Sequence, residues 1–334
     1  MALLEVRNLK TNFYSRFGIS RAVDDISFDI QKGETVGIVG ESGSGKSVSC
    51  YSLLGLVACP PGRIESGSAM FEGTDLLNCT QNELRRIRGN TISIIFQDPM
   101  SSLNPYLTIG VQLTEHLIVH KGLNKNEARK KAITSLLEVG IQDPEIRINY
   151  YPHQLSGGMR QRVMIAMALI TQPLLLIADE PTTALDVTIQ AQIIDLINDL
   201  KNRKEMSVIF ITHDLGVVAG IADHVLVMYS GRIMESGKTR EVYYQPVHPY
   251  TRALLKSTPS VEMKDKELYV IPGRPPGGYE EIKGCVFASR CEFVRDRCMT
   301  TIPDLEEISG NHYSACLRVQ EGELSAGFQE GGSS

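Results

Sequence analysis

The stretch Thr35–Ser47 reads TVGIVGESGSGKS, and it decides the fold. A short apolar run leads into Gly40–Ser47, which fits the phosphate-loop pattern G-x-x-x-x-G-K-[ST]. The residues after Lys46, SVSCYSLLGLV, have the apolar spacing of a helix. A strand, a glycine loop and a helix in this order are the context in which the pattern binds the phosphates of a nucleotide.

Each residue type in this P-loop has a chemical role. The glycines let successive backbone N–H groups point into one concavity, and the start of the helix adds its positive dipole end. Lys46 would reach the β- and γ-phosphates, and Ser47 would hold Mg²⁺. The residues predicted to bind the nucleotide here are Gly40, Ser42, Gly43, Ser44, Gly45, Lys46 and Ser47. The loop indicates a nucleotide but not the work done with it, because one fold hosts many functions.

Composition bounds the alternatives. The chain has 334 residues, 42% of them hydrophobic, which suits a main domain of about 250 residues and a tail module. A net charge of −5 provides no global basic field for nucleic acid. The N-terminus, MALLEVRNLK, lacks a secretory signal pattern, and the longest apolar run, VMIAMALI at 163–170, is far shorter than the roughly 20 residues of a membrane span. We therefore expect a soluble, cytoplasmic protein with reduced thiols.

The order of the predicted elements indicates an α/β fold. PLLLIADE (173–180) and SVIFITHD (207–214) are short apolar runs that suit buried parallel strands ending in functional groups. IIDLINDLKNR, between them, and MRQRVMIAMALITQ (159–172) have helical spacing. Alternating strands and helices predict a parallel sheet.

Two further motifs suit nucleotide chemistry. Asp179, at the end of a predicted strand, fits the role of a Mg²⁺ ligand, and Glu180 is placed to polarise an attacking water. Taken alone, the pair is equally consistent with acidic residues that cap a turn. Ser156, Gly157 and Gly158 open a predicted helix and would present bare N–H groups to an anion. An ordinary N-cap serine is the alternative, but the acidic strand downstream and the P-loop upstream favour anion binding.

Together with FQDP (96–99), ALD (184–186) and ITHD (211–214), these motifs stand in the order typical of the ATP-binding cassette (ABC) ATPases, which the sequence resembles over about residues 1–255. The resemblance implies an α/β P-loop ABC nucleotide-binding domain with a RecA-like parallel sheet, an antiparallel β subdomain and a helical subdomain at about 99–152. It also implies that Gln97 contacts Mg²⁺ or water and that His213 contacts the γ-phosphate. The catalytic residues would be Glu180, His213 and Gln97, and the Mg²⁺ ligands Ser47, Gln97 and Asp179.

The same resemblance implies a partner subunit. Ser156, Gly157 and Gly158 would bind the γ-phosphate of the ATP held by an opposing subunit, and Asp186 would couple the two sites. ATP would close the pair and hydrolysis would release it. Phe13 is our choice for the aromatic ring that stacks on adenine, with Tyr14 as its rival. The usual signature is LSGGQ, whereas here the fifth residue is Met159.

Two local runs narrow the subfamily. QDPMSSLNP (97–105) and PVHPYTRALL (246–255) are similar to the ATPase subunits of oligopeptide, dipeptide and nickel importers. This resemblance implies a heterodimer with a second, related ATPase, two membrane permeases, an extracytoplasmic binding protein, and a peripheral place on the cytoplasmic face of the membrane. The main hypothesis is an ATP-hydrolysing subunit that powers import of di- or oligopeptides; the alternative is the same machinery importing nickel or another small solute.

The tail concentrates four of the seven cysteines after a Pro/Gly-rich linker, IPGRPPGG at 271–278. We expect an ATPase domain at 1–257 and an extension at 258–334. The tail cysteines are separated by five, six and seventeen residues: Cys285, Cys291, Cys298 and Cys316. Four thiolates suit zinc or an iron–sulfur cluster, although zinc sites usually have closer pairs. The resemblance to peptide-importer ATPases implies a 4Fe–4S cluster; zinc and free structural thiols are the alternatives.

Other classes of ABC protein fit less well. Chromosome-maintenance members need a long coiled coil between the P-loop and the signature, but the interval here is about 110 residues without sustained heptads. Translation members fuse two cassettes, and this sequence has one P-loop and one LSGG. Multidrug exporters would add membrane helices. A soluble ABC ATPase outside transport is the rival hypothesis.

Overall fold

The computed structural model describes residues 2–97, 102–182, 186–258, 269–280 and 282–324. These residues form two compact units. The first, here called the P-loop unit, comprises Ala2–Ile30, Thr35–Leu77 and the described part of Thr212–Ser334. The second, the signature unit, comprises Gln31–Glu34 and Asn78–Ile211.

The P-loop unit contains an antiparallel sheet formed mainly by the N-terminal residues. Its strands, in the spatial order β2-β1-β4-β5, are β1 (Ala2–Ser15), β2 (Gly18–Gln31), β4 (Gly62–Phe71) and β5 (Thr74–Asp75). Leu4 and Val6 are fully buried while Glu5 between them is exposed, so β1 has the alternation of a half-buried strand. The expected antiparallel β region is therefore present.

A second set of strands in the P-loop unit begins at the strand before the P-loop. These strands are β3 (Thr35–Val39), β9 (His224–Tyr229), β10 (Arg232–Lys238), β11 (Glu306–Ser309) and β12 (His312–Ser314). All five residues of β3 are buried, which is why its sequence is a continuous apolar run. β3 pairs with β9 in parallel, and the antiparallel pairs β9–β10, β10–β12 and β12–β11 follow. Tail residues thus extend the sheet that carries the P-loop.

Short helices complete the P-loop unit: α1 (Lys46–Leu53), α8 (Leu215–Ala219), α9 (Thr239–Tyr244), α10 (Pro249–Ser257), α11 (Asp296–Thr300) and α12 (Leu317–Gln320). α1 confirms the helix predicted after the P-loop. The HPY run (residues 248–250) is the start of α10: Pro249 is its first residue, and Nδ1 of His248 accepts the N–H of Tyr250 at 3.0 Å. The motif is therefore a helix cap.

The signature unit contains parallel strands and longer helices. Its strands are β6 (Ile92–Ile95), β7 (Leu175–Asp179) and β8 (Ser207–Thr212), of which the last residue belongs to the other unit. Its helices are α2 (Gln81–Ile87), α3 (Ile109–Lys121), α4 (Lys125–Glu138), α5 (Pro144–Arg147), α6 (Gly157–Leu169) and α7 (Val187–Lys204). β7 and β8 pair in parallel, as their apolar runs predict, and β6 pairs in parallel with the other side of β7. Among the described residues, no helix combines the length and apolar character needed to cross a membrane.

The core of the P-loop unit includes residues from both ends of the chain. Val39 of β3 and Val227 of β9 lie in the same apolar cluster as Tyr229, Tyr250 and Phe287. The three aromatic rings have centroids 4.6–5.4 Å apart. Truncation of a buried aromatic side chain of this kind costs about 3–5 kcal/mol. The tail is therefore packed into the unit that carries the P-loop.

Candidate nucleotide site

The glycines of the P-loop allow very close backbone approaches. A Cβ at Gly40 would lie 2.1 Å from the carbonyl oxygen of Met228, and one at Gly45 would lie 2.2 Å from that of Ala22. Both glycines have positive φ, 153° and 100°. Gly43 also has positive φ, 78°, but faces open space. The loop shape therefore excludes side chains at two positions for steric reasons.

Lys46 lies inside the loop. Its side chain is buried, and Nζ donates to the carbonyl oxygens of Gly40 at 2.8 Å and Glu41 at 3.0 Å. The hydroxyl of Ser44 is buried and has no hydrogen-bond partner among the described residues. An ammonium group and an unsatisfied hydroxyl in one concavity suit a bound phosphate, which would accept hydrogen bonds from both.

An open cleft of about 240 Å³ lies beside the P-loop, within the same unit. Its walls are Glu41–Ser44 of the loop, Ser20–Ala22 of β2 and Pro275–Gly278 of the tail linker. A cleft that adjoins a phosphate loop has room for the rest of a nucleotide. The tail linker therefore contributes directly to the candidate site.

The aromatic candidates for adenine stacking occupy different environments. Phe13 is partly buried, and its ring lies 3.0 Å from where a Cβ would stand at Gly62. Tyr14 is 41% exposed, and its hydroxyl donates to the carboxylate of Glu65 at 2.6 Å. The role of Phe13, with Tyr14 as rival, stays a prediction.

In the signature unit, Gln97 and Glu180 come together. Nε2 of Gln97 donates to Oε2 of Glu180 at 2.9 Å. Glu180 has φ of 44°, a left-handed conformation that costs a non-glycine residue of the order of 1–3 kcal/mol. Its N–H donates to the carbonyl oxygen of Ile211 at 3.0 Å, and Asp179 before it is buried at the end of β7. Glu180 thus has a strained backbone and a carboxylate oriented by a hydrogen bond, which suits a general base.

The signature loop is capped but open at its glycines. Ser156 is the N-cap of α6, and its hydroxyl accepts the N–H of Met159 at 3.4 Å. A Cβ at Gly157 would meet no atom within 4 Å, and one at Gly158 would only touch Ile189 at 3.5 Å. Packing against the described residues thus does not require these glycines.

The loop is held from behind by polar contacts. Nε of Arg160 donates to the carbonyl oxygens of Pro152 at 2.9 Å and Leu155 at 3.0 Å. The sulfur of Met159, which replaces the usual glutamine, lies 3.3 Å from the guanidinium of Arg147. Met159 therefore contacts its own unit, and the substitution leaves the serine and glycines in place.

The remaining predicted residues lie in separate units. Asp186 is the exposed N-cap residue of α7 in the signature unit, and His213 follows β8 as an exposed residue of the P-loop unit. The rest of the FQDP and ALD runs, at 98–99 and 184–185, lies outside the described residues.

The four tail cysteines line one small apolar cavity, together with His248 and Phe287. Burial raises the pKa of the Cys285 thiol to about 12 and that of Cys291 to about 11. Within the described part of the chain, no group of three or more His, Cys, Asp or Glu side chains is arranged to hold a metal ion. The cysteines thus share a cavity without forming a preassembled ligand set.

Sequence reasoning missed an ion pair at the P-loop. The buried guanidinium of Arg290 donates to both carboxylate oxygens of Glu41, at 2.7 and 3.1 Å, and to the hydroxyl of Tyr229 at 3.1 Å. Glu41 occupies a variable position of the phosphate-loop pattern, and Arg290 lies next to Cys291 in the tail. The sequence signal for this ion pair was only that the two residues carry opposite charges, and they lie 249 residues apart. A local sequence pattern does not reveal a pair at that separation.

Comparisons with known proteins agree with this geometry. A family model described as "ABC transporter" matches residues 23–183. A second model, described as "Oligopeptide/dipeptide transporter, C-terminal region", matches residues 234–298. The second match covers the HPY helix, the linker and three of the four tail cysteines.

Curated relatives match nearly the full length. The oligopeptide transport ATP-binding protein OppD of Salmonella typhimurium is 52% identical over 319 residues, 96% of this chain and 94% of its own length. The dipeptide transport ATP-binding protein DppD of Escherichia coli is 48% identical over 316 residues, 95% of this chain and 96% of its own length.

Among solved structures, the post-hydrolysis dimer of the ATP-binding cassette MJ0796 bound to ADP and Pi is similar, with a TM-score of 0.64 and 28% identity. The match covers 71% of this chain and 99% of the MJ0796 chain. The α/β P-loop cassette fold predicted from the sequence is therefore confirmed. These relatives and the site geometry show that the chain belongs to the ABC transporter ATP-binding family, in the branch of the oligopeptide and dipeptide transport ATP-binding proteins.

Proposed function

We infer that this chain is the ATP-hydrolysing subunit that powers import of di- or oligopeptides through a membrane permease. The observation that carries this inference is the near-full-length similarity to oligopeptide and dipeptide transport ATP-binding proteins, tail region included. The same machinery importing nickel or another small solute is the alternative, because selectivity would lie in other chains. A soluble ABC ATPase outside transport has less support, since the match extends through the peptide-transporter tail.

The proposed chemistry assigns a role to each site residue. The P-loop amides and Lys46 bind the β- and γ-phosphates, as in other P-loop proteins. Ser47, Gln97 and Asp179 offer the hydroxyl, amide and carboxylate oxygens that Mg²⁺ prefers. Bound Mg²⁺ would neutralise charge that develops on the phosphates.

Glu180 polarises the attacking water as general base, and the hydrogen bond from Nε2 of Gln97 to its Oε2 helps to orient the carboxylate. His213 contacts the γ-phosphate. Phe13 stacks on adenine.

The second half of each site comes from another subunit. Ser156, Gly157 and Gly158 bind the γ-phosphate of the opposing subunit's ATP, and Asp186 couples the two sites. Open space around Gly157 supports this role, because the loop presents its backbone outward. We propose that the opposing subunit is a related ATPase. Purification after co-expression tests this: a complex with two copies of this chain and no relative would refute it.

We propose that the pair works at the cytoplasmic face of the membrane, beneath two permeases served by an extracytoplasmic binding protein. The helical subdomain at about 99–152 is the part that contacts the permease. Exposed apolar side chains on its described residues support this, including Tyr106 at 87%, Val119 at 68% and Val111 at 48% exposure.

The substitution Glu180→Gln tests the catalytic proposal. Loss of a general base should lower the ATP turnover rate of the assembled transporter by about 10²- to 10⁴-fold while MgATP binding persists and the closed dimer accumulates. The exposed Glu205→Gln, at the residue that follows α7 with a φ of 51°, is the matched control and should turn over normally. Full turnover by Glu180→Gln would remove that residue as the base.

We further propose that residues 258–334 form an extension in which Cys285, Cys291, Cys298 and Cys316 hold a 4Fe–4S cluster. Support comes from the sulfur donors that share one apolar cavity, which is the ligand chemistry such clusters require. The cluster would stabilise the fold of the extension when bound. The absence of a preassembled ligand set among the described residues means that the cysteine side chains must reorient on binding.

Anaerobic purification with visible absorption and metal analysis tests the cluster. The expected result is a coloured protein with iron and sulfide, both lost in Cys291→Ser and retained in Cys59→Ser, an exposed cysteine remote in sequence. A colourless protein with one zinc and no iron would support zinc instead. A protein purified without iron or zinc would indicate that the thiols are free structural residues.

A further inference from the structure

We propose that Arg290 is a positioning residue of the nucleotide site, which neutralises the carboxylate that Glu41 brings into the phosphate loop. The C-terminal extension is then a working part of the ATP site. This inference rests on the proposed binding of ATP by the P-loop, and it adds a residue outside the cassette motifs.

Glu41 is electrostatically out of place. The P-loop gathers N–H groups, a helix start and Lys46 to attract anions, whereas Glu41 adds a negative charge to the same short loop. Its side chain is 25% exposed and lines the cleft beside the loop, and its own carbonyl oxygen accepts Nζ of Lys46 at 3.0 Å. Without a counter-charge, the carboxylate would repel a triphosphate.

Arg290 supplies that counter-charge in a strong geometry. Its guanidinium side chain is only 5% exposed and binds Glu41 through two parallel hydrogen bonds at 2.7 and 3.1 Å. Two-pronged arginine–carboxylate pairs are among the stronger polar contacts in proteins. Although burial opposes the charged form, the hydrogen bonds to Glu41 and Tyr229 raise the pKa of Arg290 above its ordinary value.

The extension fixes the position of Arg290. Its Nε and Nη2 donate to the linker carbonyl oxygens of Pro272 at 2.9 Å and Ile271 at 3.3 Å. Its backbone lies in a short turn bracketed by two cysteines: the N–H of Ala288 donates to Cys285 at 3.0 Å, and that of Cys291 to Ala288 at 3.3 Å. The guanidinium is thus held by hydrogen bonds within the tail as well as by its contact with the loop.

The loop is also held from its other side. The N–H of Glu41 donates to the hydroxyl of Tyr250 at 3.0 Å, so the residue is clamped at both backbone and side chain. Tyr250 belongs to the HPY helix α10. Both clamps come from residues after 248, which gives the tail region a direct mechanical and electrostatic connection to the loop.

Binding of MgATP and MgADP to the full-length chain, measured by calorimetry at low and high salt, tests the proposal. The variant R290Q should bind MgATP about 10- to 100-fold more weakly, the fold-change that loss of a charged hydrogen-bonded pair gives. The affinity for MgADP should fall less, because MgADP carries less negative charge. The loss of MgATP affinity should become smaller at high salt, which screens the repulsion from Glu41. The conservative R290K should recover part of the affinity.

Two controls separate charge from fold. The variant R295Q removes an arginine paired with Glu323 on the exposed surface, and should bind as wild type does. The variant E41Q removes the charge itself: it should bind MgATP at least as tightly as wild type, and the double variant E41Q/R290Q should recover most of the affinity lost in R290Q. If R290Q does not fold, E41Q and the double variant E41Q/R290Q test the proposal in its place.

The outcomes are distinct. If R290Q binds MgATP as wild type does, or if the double variant is as weak as R290Q with no dependence on salt, the inference is overturned and the pair is structural. Failure of the wild-type chain to bind MgATP would instead overturn the proposed function, and this inference with it.

Discussion

In the phosphate loop, a Cβ at Gly40 or Gly45 would stand 2.1 or 2.2 Å from a carbonyl oxygen, whereas a Cβ at Gly157 of the signature loop would meet nothing within 4 Å. The two loops look alike as sequence, since both place small residues at a helix start. In the phosphate loop, however, Gly40 and Gly45 are required by the chain's own packing. In the signature loop, packing against the described residues does not require Gly157.

The difference separates two reasons for glycine. A loop enclosed by its own unit, with Lys46 buried inside it, has its shape determined within the chain. Packing against the described residues does not account for Gly157, where the position of a Cβ is open. The geometry therefore agrees with a site in which one half is complete and the other serves a second subunit.

The largest effect is expected for Gly45→Ala. The new methyl group would collide with the carbonyl of Ala22, and φ of 100° would strain any side chain. We expect loss of several kcal/mol of stability and of MgATP binding, read from thermal unfolding and calorimetry. Gly43→Ala is the matched control: with φ of 78° but open space, it should cost only about 1–2 kcal/mol. Equal effects at both positions would contradict the steric argument.

An intermediate and more selective effect is expected for Gly157→Ala. Alanine favours the helix and meets no neighbour, so the free energy of unfolding should stay the same or rise by less than about 1 kcal/mol. MgATP binding to the isolated chain should not change. Turnover by the assembled transporter should fall about tenfold or more, because the methyl group would stand between the loop and the opposing phosphate. Normal turnover would show that this loop does not contact nucleotide in the partner site.

A small loss of stability is expected for Ser156→Ala. It removes the cap hydroxyl that accepts the N–H of Met159, at a cost of about 1 kcal/mol in denaturant unfolding. Ser156→Asp keeps a capping oxygen and should retain that stability. Its negative charge should nevertheless abolish turnover, since it would face a phosphate. If Asp restored both stability and turnover, Ser156 would be a cap and no more.

Much of the fold could be predicted from local pattern. The apolar runs before Gly40 and Glu180 are buried strands, and the segments after Lys46 and Ser156 are helices, as expected. These elements are determined by short-range spacing, which a sequence displays directly. The hydrogen bond between Gln97 and Glu180 joins two residues that were both predicted, although their contact was not.

The tail was harder to interpret. The sequence placed four cysteines in one region, and the structure places them around one cavity. Their packing against Tyr229 and Tyr250, and the extension of the P-loop sheet by β11 and β12, had no local signal. Long-range strand pairing depends on which edges are left free by the rest of the fold, and no short pattern records that.

The sequence by itself determined the phosphate loop, the order of strands and helices, and the family, because these depend on residue types at short, regular spacings. Only the tertiary structure decided why Glu41 is tolerated in an anion-binding loop. Its partner Arg290 stands 249 residues away along the chain. Compensation of a charge depends on distance in space and on burial, and folding alone brings such residues together.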